Sequence, residues 1–263
     1  MDHFWVTVLL GIIEGITEFL PISSTGHLLI AEHWLGARSD AFNVVIQAGA
    51  VSAVVVIYWR KLLALIQTLG EATTQDYLLK LGIAFGITVV GGLVISHFKL
   101  KLPETLGPVA AAVLIGGLLI FAAEFLLRNQ GGDSSITWHV AVAVGLGQLA
   151  AALFPGLSRS AATIIASMFV GLSRPAATEF SFLVGIPTMF AASAYALWKE
   201  RHAMTGFDSG AYSDMALGFV ISAVVAFLAV KWLIHYVQKN TFILFAWYRV
   251  VLGVGLLAWL VKK

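Results

Sequence analysis

Two acids four residues apart, Glu14 and Glu18, stand inside an apolar stretch, and Pro21-Ile-Ser-Ser-Thr-Gly-His27 follows almost at once. On a helix, Gly11, Glu14, Gly15 and Glu18 share one face about 100° wide. Glycines on that face let another backbone come close. An ionised carboxylate turned to lipid would cost at least a few kcal/mol, so the face is expected to look inward. Pro21 is expected to end this helix, because it restricts Leu20 and has no N–H to donate. Ser23, Ser24 and Thr25 then offer N-caps for a returning arm over 24–35. A helix start with free N–H groups and hydroxyls is a ready anion site, with phosphate the common occupant. His27, in the first turn of that arm, suits a general base, an acid or a nucleophile near neutral pH.

A second stretch, Pro155-Gly-Leu-Ser-Arg-Ser160, answers the first. Laying Pro21 on Pro155 pairs Gly11 with Gly145 and Ser24 with Ser158, while Glu14 and Glu18 meet Gln148 and Ala152, and Thr25 meets Arg159. One stretch carries acids and the other a cation. Arg159 lies between Ser158 and Ser160, with Thr163 one turn on, and its planar fork suits a phosphate bidentately. Two carboxylates beside a phosphate repel it unless a cation lies between them. A hard divalent ion, Mg²⁺ or Ca²⁺, held by Glu14 and Glu18 with phosphate oxygens, resolves the conflict. Such a convergence points to phosphoryl transfer or phosphate-ester hydrolysis.

Each residue taken singly also has a plainer role. Glu14 and Glu18 could form a structural polar cluster, Ser23, Ser24 and Thr25 could only cap a helix, and Arg159 could be a counter-ion to either acid. His27 could be a hydrogen-bonded interior residue, and the other histidines read as interfacial. Arg249 reads as structural and could pair with Glu124 or Glu179. Asn43, Gln47 and Gln148 stand behind the site at most.

The elements that must position these residues are membrane elements. The chain has 263 residues, 59% hydrophobic and only 11% charged, against about 25% charged in soluble domains. Stretches long enough to span a bilayer fall at 42–59, 78–97, 108–127, 176–198, 215–237 and 242–261. Two further apolar regions, 4–35 and 138–172, are interrupted by the proline and hydroxyl runs. Irregular backbone at membrane depth survives only where protein or a water-filled cavity surrounds it, so both read as re-entrant helical hairpins, with plain crossings as the alternative. The expected fold is thus an all-α integral membrane protein of six transmembrane helices plus two hairpins, in one domain over 1–263. Its halves, 1–130 and 138–263, each hold one hairpin and three crossings, an inverted-topology repeat whose site lies near the midplane. A further pairing, of 42–49 with 178–185, supports the repeat.

No basic stretch precedes the first apolar region, and Glu14 and Glu18 interrupt it, so it is expected to stay on the mature protein. There is no cysteine, which excludes disulfides and thiolate metal sites. A net charge of +2 makes no case for nucleic acid. The loop cations divide evenly, with Arg38, Lys99, Lys101, Lys199, Arg201, Lys262 and Lys263 on one side and Arg60, Lys61, Lys80, Arg128, Arg174, Lys231 and Lys239 on the other. Charge alone therefore gives no orientation.

Glu14-Gly-Ile-Thr-Glu18-Phe-Leu-Pro-Ile-Ser-Ser-Thr-Gly-His27 and Pro155-Gly-Leu-Ser-Arg-Ser160-Ala-Ala-Thr163 resemble the two signature motifs of the bacterial undecaprenyl-diphosphate phosphatases, the bacitracin-resistance family. The likeness extends to "FNVVIQAG" at 42–49, "RPAATEFSFL" at 174–183 and "WYRVVLG" at 247–253. It implies an inner-membrane enzyme that removes the terminal phosphate of a C55 isoprenoid lipid diphosphate and regenerates the carrier for cell-wall synthesis. It also implies a site opening to the periplasm and dependence on a divalent cation. Glu14 and Glu18 match the family's acidic motif, Ser24 and His27 its hydroxyl and histidine, and Arg159 its phosphate-binding arginine. The expected roles are Ser24 and His27 at the reacting phosphate, Glu18 with Glu14 on the metal, and Arg159 on the developing charge. The nucleophile stays open among Ser24, His27 and water, and the oligomeric state stays open too, a homodimer included. The competing function is a transporter or flippase for a lipid phosphate, which inverted repeats would serve equally well.

Overall fold

The computed structural model describes residues 3–98, 105–128 and 132–262. Lys99, Lys101 and Lys263 of the charge comparison lie outside them. Helices dominate: α1 (His3–Thr17), α2 (Ser24–Leu35), α3 (Asp40–Ile57), α4 (Trp59–Gln67), α5 (Ala72–His97), α6 (Leu106–Leu126), α7 (Trp138–Leu153), α8 (Arg159–Phe169), α9 (Arg174–Met204), α10 (Ser209–Tyr236) and α11 (Ile243–Val261). Six of them, α3, α5, α6, α9, α10 and α11, are long and apolar enough to cross a bilayer. They start and end within a few residues of the six expected spans. Their outer faces stay apolar where nothing in the chain covers them, as at Val90, Leu228 and Val251, each more than 60% exposed. Water would not tolerate such faces, and lipid requires them. The chain is an all-α, multi-pass integral membrane protein. The sequence reading missed α4, a short helix with no buried residue that follows α3 directly.

Helices meet at glycines, because lipid gives apolar side chains no reason to prefer one another and close backbone packing must supply the attraction. A Cβ on Gly15 of α1 would stand 2.7 Å from the Ser222 carbonyl of α10, and one on Gly145 of α7 would stand 3.0 Å from the Ala84 carbonyl of α5. Several acids are met by donors from other segments of the chain. Glu124 of α6 receives Arg174 at the start of α9 and, at 2.8 Å, the Phe242 N–H that opens α11. Glu179 pairs with Lys61, and Arg38 joins Asp214 at 3.0 Å. Arg249 is therefore not the partner of Glu124 or Glu179, contrary to expectation.

The two interrupted regions are helix, break, helix. Helix α1 stops at Thr17 rather than running to Leu20, and Thr17 turns its hydroxyl back onto the Ile13 carbonyl at 2.7 Å. Glu18 still donates its N–H to Glu14 at 3.0 Å, so it continues the acidic face one residue past the helix. The chain then turns over 18–22 before α2 begins.

Candidate active site

The helix after each break, α2 and α8, starts on a serine forced into left-handed backbone. Ser23 (φ 75°) caps α2 and Ser158 (φ 71°) caps α8, and they are the only non-glycine residues with positive φ among those described. Such a conformation is uncommon for an L residue and persists where the surroundings hold it. Each hydroxyl accepts the N–H three residues on, Gly26 and Ala161 respectively, both at 3.3 Å. Aligned by these caps and not by the prolines, the two stretches shift by one residue. Ser23 and Ser158 play the same capping part, but Ser158 stands three residues past Pro155 where Ser23 stands two past Pro21, and Gly156 (φ 102°) lies in that longer interval. Arg159 consequently answers Ser24, not Thr25.

Both of these first helical residues reach the same carboxylate. Ser24 donates its hydroxyl to Glu18 Oε2 at 2.5 Å, and the Arg159 guanidinium meets Glu18 Oε1 at 3.3 Å. The ion pair is largely withdrawn from solvent, with the Glu18 side chain 5% exposed and that of Arg159 17%. Arg159 also lies over the Phe19 ring, 5.6 Å from its centre. A Cβ on Gly185 of α9 would fall within the guanidinium, so only glycine there leaves the arginine its place. Ser160 ties the two breaks together by donating to the Leu20 carbonyl at 3.0 Å.

Two cavities meet at this point. One, of about 540 Å³, is lined by Glu18, Ser23, Ser24, Thr25, Ser158 and Arg159 at its polar end and by apolar residues of α5, α7 and α9, such as Leu93, Leu149 and Met189, elsewhere. The second, of about 450 Å³, has Glu14 in its wall. Ser24, Thr25 and Gln47 belong to both. The polar end suits a phosphate group and the rest an apolar chain.

Three of the expected site residues do not reach either cavity wall. His27 stacks on Tyr248 of α11, with its Nδ1 2.7 Å from the Ser23 carbonyl and its Nε2 2.6 Å from the Tyr248 hydroxyl. The carbonyl fixes the proton on Nδ1, so Nε2 accepts from the tyrosine and both nitrogens are engaged. The structure thus places Glu18, not His27, against Ser24. Ser160 is spent on Leu20, and Thr163 donates back to the Arg159 carbonyl at 2.9 Å. Both are buried.

The sequence reading also missed the part played by Arg249. Fully buried, it donates to four carbonyls: Val113 at 3.1 Å and Ala112 at 3.3 Å in α6, Pro21 at 3.2 Å in the first break, and Gly156 at 3.0 Å in the second. A Cβ on Gly116 would occupy the guanidinium's own space. One side chain from the last helix therefore holds both breaks at once. Its place in the WYRVVLG stretch was visible, but its carbonyl partners lie far apart in the chain.

No group of three or more His, Asp or Glu among the described residues is arranged to hold a metal. Glu14 and Glu18 nevertheless fit a hard cation. Glu14 is 1% exposed and its Oε2 has no hydrogen-bond partner. With the Ser24 and Thr25 hydroxyls nearby, every available donor is oxygen, the set that Mg²⁺ and Ca²⁺ take alongside water and phosphate oxygens.

The family model described as Bacitracin resistance protein BacA matches residues 7–255. A protein named undecaprenyl-diphosphatase from Rhizobium etli (strain CIAT 652) is 54% identical over 254 residues, covering 95% of this chain and 94% of its own. Another of that name, from Xanthomonas euvesicatoria pv. vesicatoria (strain 85-10), is 53% identical over 261 residues, covering 99% and 98%. Since the match runs through both capped breaks and the helices that carry Gly185 and Arg249, the chain belongs to the BacA family of bacitracin resistance proteins.

Proposed function

We propose that this protein hydrolyses the terminal phosphate of undecaprenyl diphosphate to leave undecaprenyl phosphate, recycling the lipid carrier of cell-wall synthesis and conferring bacitracin resistance. The observation that carries the reading is the contact of Ser24 and Arg159 with one buried carboxylate, Glu18. A hydroxyl on a carboxylate that a third group orients is the arrangement of an activated nucleophile.

As Ser24 Oγ attacks the terminal phosphorus, its proton passes to Glu18 Oε2. The bond from that phosphorus to the bridging oxygen breaks, and the lipid monophosphate leaves. Glu18 passes that proton to the leaving monophosphate, takes another from a water that attacks the phosphoserine, and returns it to Ser24 Oγ as inorganic phosphate departs. Arg159 exchanges Glu18 for the phosphate oxygens and stabilises the charge that develops on them. Ser23, Thr25 and Ser158 line the phosphate end, while Ser160 and Thr163 support the helix start behind it. A divalent cation, Mg²⁺ or Ca²⁺, held by Glu14 and Glu18, would offset the charge of the diphosphate. His27 acts by fixing α2 against α11. Every residue named comes from one chain, so a homodimer is not needed to complete the site.

The same reading makes the two breaks the tips of re-entrant hairpins in an inverted repeat of halves 1–130 and 138–263. It places the protein in the bacterial inner membrane with the site opening to the periplasm. Matching serine caps support the repeat, as does the packing of α1 on α10 and α7 on α5, in which each hairpin meets a crossing of the other half.

Purified protein in detergent, given a long-chain isoprenyl diphosphate and Mg²⁺ or Ca²⁺, should release inorganic phosphate, and a chelator should stop it. A lipid-phosphate transporter would release none. With terminally labelled substrate the label should be trapped on wild-type protein and not on Ser24→Ala. Label retained on that variant rules serine out as the nucleophile.

A further inference from the structure

The cavity that holds Glu14 is lined by oxygens well beyond what the phosphate reaction uses. Asp40, Glu32, Asn43 and Gln47 share its wall with Glu14, Ser24 and Thr25. They form a series in depth. Asp40 is exposed at the first residue of a membrane-crossing helix, Glu32 and Asn43 are half-buried, and Glu14 is buried. Asn43 gives its amide N–H to Glu32 Oε1 at 2.9 Å, which leaves its own Oδ1 buried without a donor. No described cation lines this wall. Arg38, the nearest in sequence, turns its guanidinium to Asp214, Thr7 and the His3 carbonyl.

Part of this has an ordinary explanation, since an acid in the first turn of α3 steadies that helix. That accounts for Asp40 alone. It leaves out Glu32, the free oxygen of Asn43, and above all the unpartnered Oε2 of Glu14 in the same wall. Three carboxylates around one cavity repel an anion and attract a cation, and carboxylate, amide and hydroxyl oxygens are the donors a hard divalent ion prefers. Yet these acids are not grouped closely enough to form a cage. A line of separate oxygen stations passes an ion along rather than keeping it.

We infer that Asp40, Glu32 and Asn43 line a route by which a divalent cation travels from the membrane surface to Glu14. The inference rests on the reading that Glu14 and Glu18 hold that cation. On this route the ion reaches the site from the side of Glu14, while the lipid substrate occupies the other, largely apolar cavity. The two meet at Ser24 and Thr25, which face both.

The test uses Mn²⁺ as the probe, with the full-length protein in detergent and no substrate, reading the free Mn²⁺ signal by electron paramagnetic resonance. Removing both outer charges with Glu32→Gln and Asp40→Asn should weaken Mn²⁺ binding about tenfold at low salt, with the gap to wild type closing as salt rises, as for a focusing field. The glutamine keeps the acceptor for Asn43. The charge-conserving Glu32→Asp should bind as wild type does. An unchanged affinity with an unchanged salt dependence in the double variant overturns the route. So does complete loss of binding in the double variant with wild-type affinity in Glu18→Gln, which would make the outer acids the ion's seat. Because no substrate is present, failure of the phosphatase reading would show separately, as intact Mn²⁺ binding without phosphate release.

Discussion

Arg249→Met is the most informative single perturbation, because it leaves every proposed reacting group in place and removes the largest tie between the two breaks. The four carbonyls it releases are not equal. Ala112 and Val113 lie inside α6 and keep their helical partners, whereas Pro21 and Gly156 lie in the breaks, where Arg249 is the donor that reaches them. An orphaned buried carbonyl costs about 1–3 kcal/mol, so two cost about 2–6 kcal/mol. Removing the guanidinium also relieves the cost of keeping a cation out of water, which pulls the net effect toward the lower end, about 2 kcal/mol. That corresponds to roughly thirty-fold in the population with both breaks seated, and to a melting point lower by about 4–8 °C. Intrinsic tryptophan fluorescence follows unfolding in detergent, and phosphate release follows the site. Both should fall together, with Arg249→Lys between, because three donors on a point charge cannot serve four scattered carbonyls. A methionine variant that melts within a degree of wild type and turns over within twofold of it would refute the role given to Arg249.

Ser24→Ala should lose at least about a hundredfold in phosphate release at an unchanged melting point, as expected when a nucleophile is removed. His27→Ala should lose activity and melting temperature in parallel, since it breaks the contact of α2 with Tyr248; phosphate release lost at full stability would restore His27 to the chemistry. Gly185→Ala should push the Arg159 guanidinium off Glu18 and cost at least about tenfold in kcat/KM, a smaller loss than that of Arg159→Ala. At the exposed turn after residue 132, the Ser135 hydroxyl and the Ser135 and Ser134 N–H groups hold the Asp133 carboxyl below its usual range. A lowered native value means the turn is fully supported above about pH 4 and loses that support as pH falls through the native value. Exchange protection of the Ser134 and Ser135 amides, corrected for intrinsic rates, should drop only in that acid range.

The six crossings were legible because a bilayer enforces length and hydropathy on every spanning helix, and α4 was missed because a short surface helix obeys neither constraint. Glu14, Glu18 and Arg159 were legible for a related reason: charge in lipid has few permitted explanations. The end of α1 was misjudged because Pro21 marks where a helix cannot continue, while Thr17 closes it earlier through its own side chain. His27 looked catalytic from its neighbours in sequence. Of its actual partners the Ser23 carbonyl is local, but Tyr248 depends on how α11 packs, which no local pattern encodes. Arg249 presents the same difficulty in stronger form, since a carbonyl leaves no trace in a sequence and four of them converge here from three segments.

The one-residue difference in spacing from proline to cap has a chemical meaning on the proposed repeat. If the prolines set the register, Arg159 would answer Thr25, one position along the arm and about 100° around it, and would not share a carboxylate with Ser24. With the caps setting the register instead, the first helical residue of each arm meets Glu18. Identical halves would bring two serines, or two arginines, to that acid. The first pair lacks a group to meet the phosphate charge and the second lacks a nucleophile. Divergence at this single equivalent position, serine in one half and arginine in the other, gives one carboxylate both a hydroxyl to activate and a cation to release to the substrate. The loss of the acids from the second half, where Gln148 and Ala152 stand, follows from the same logic, because a second carboxylate pair would compete for Arg159 and repel the diphosphate it must bind.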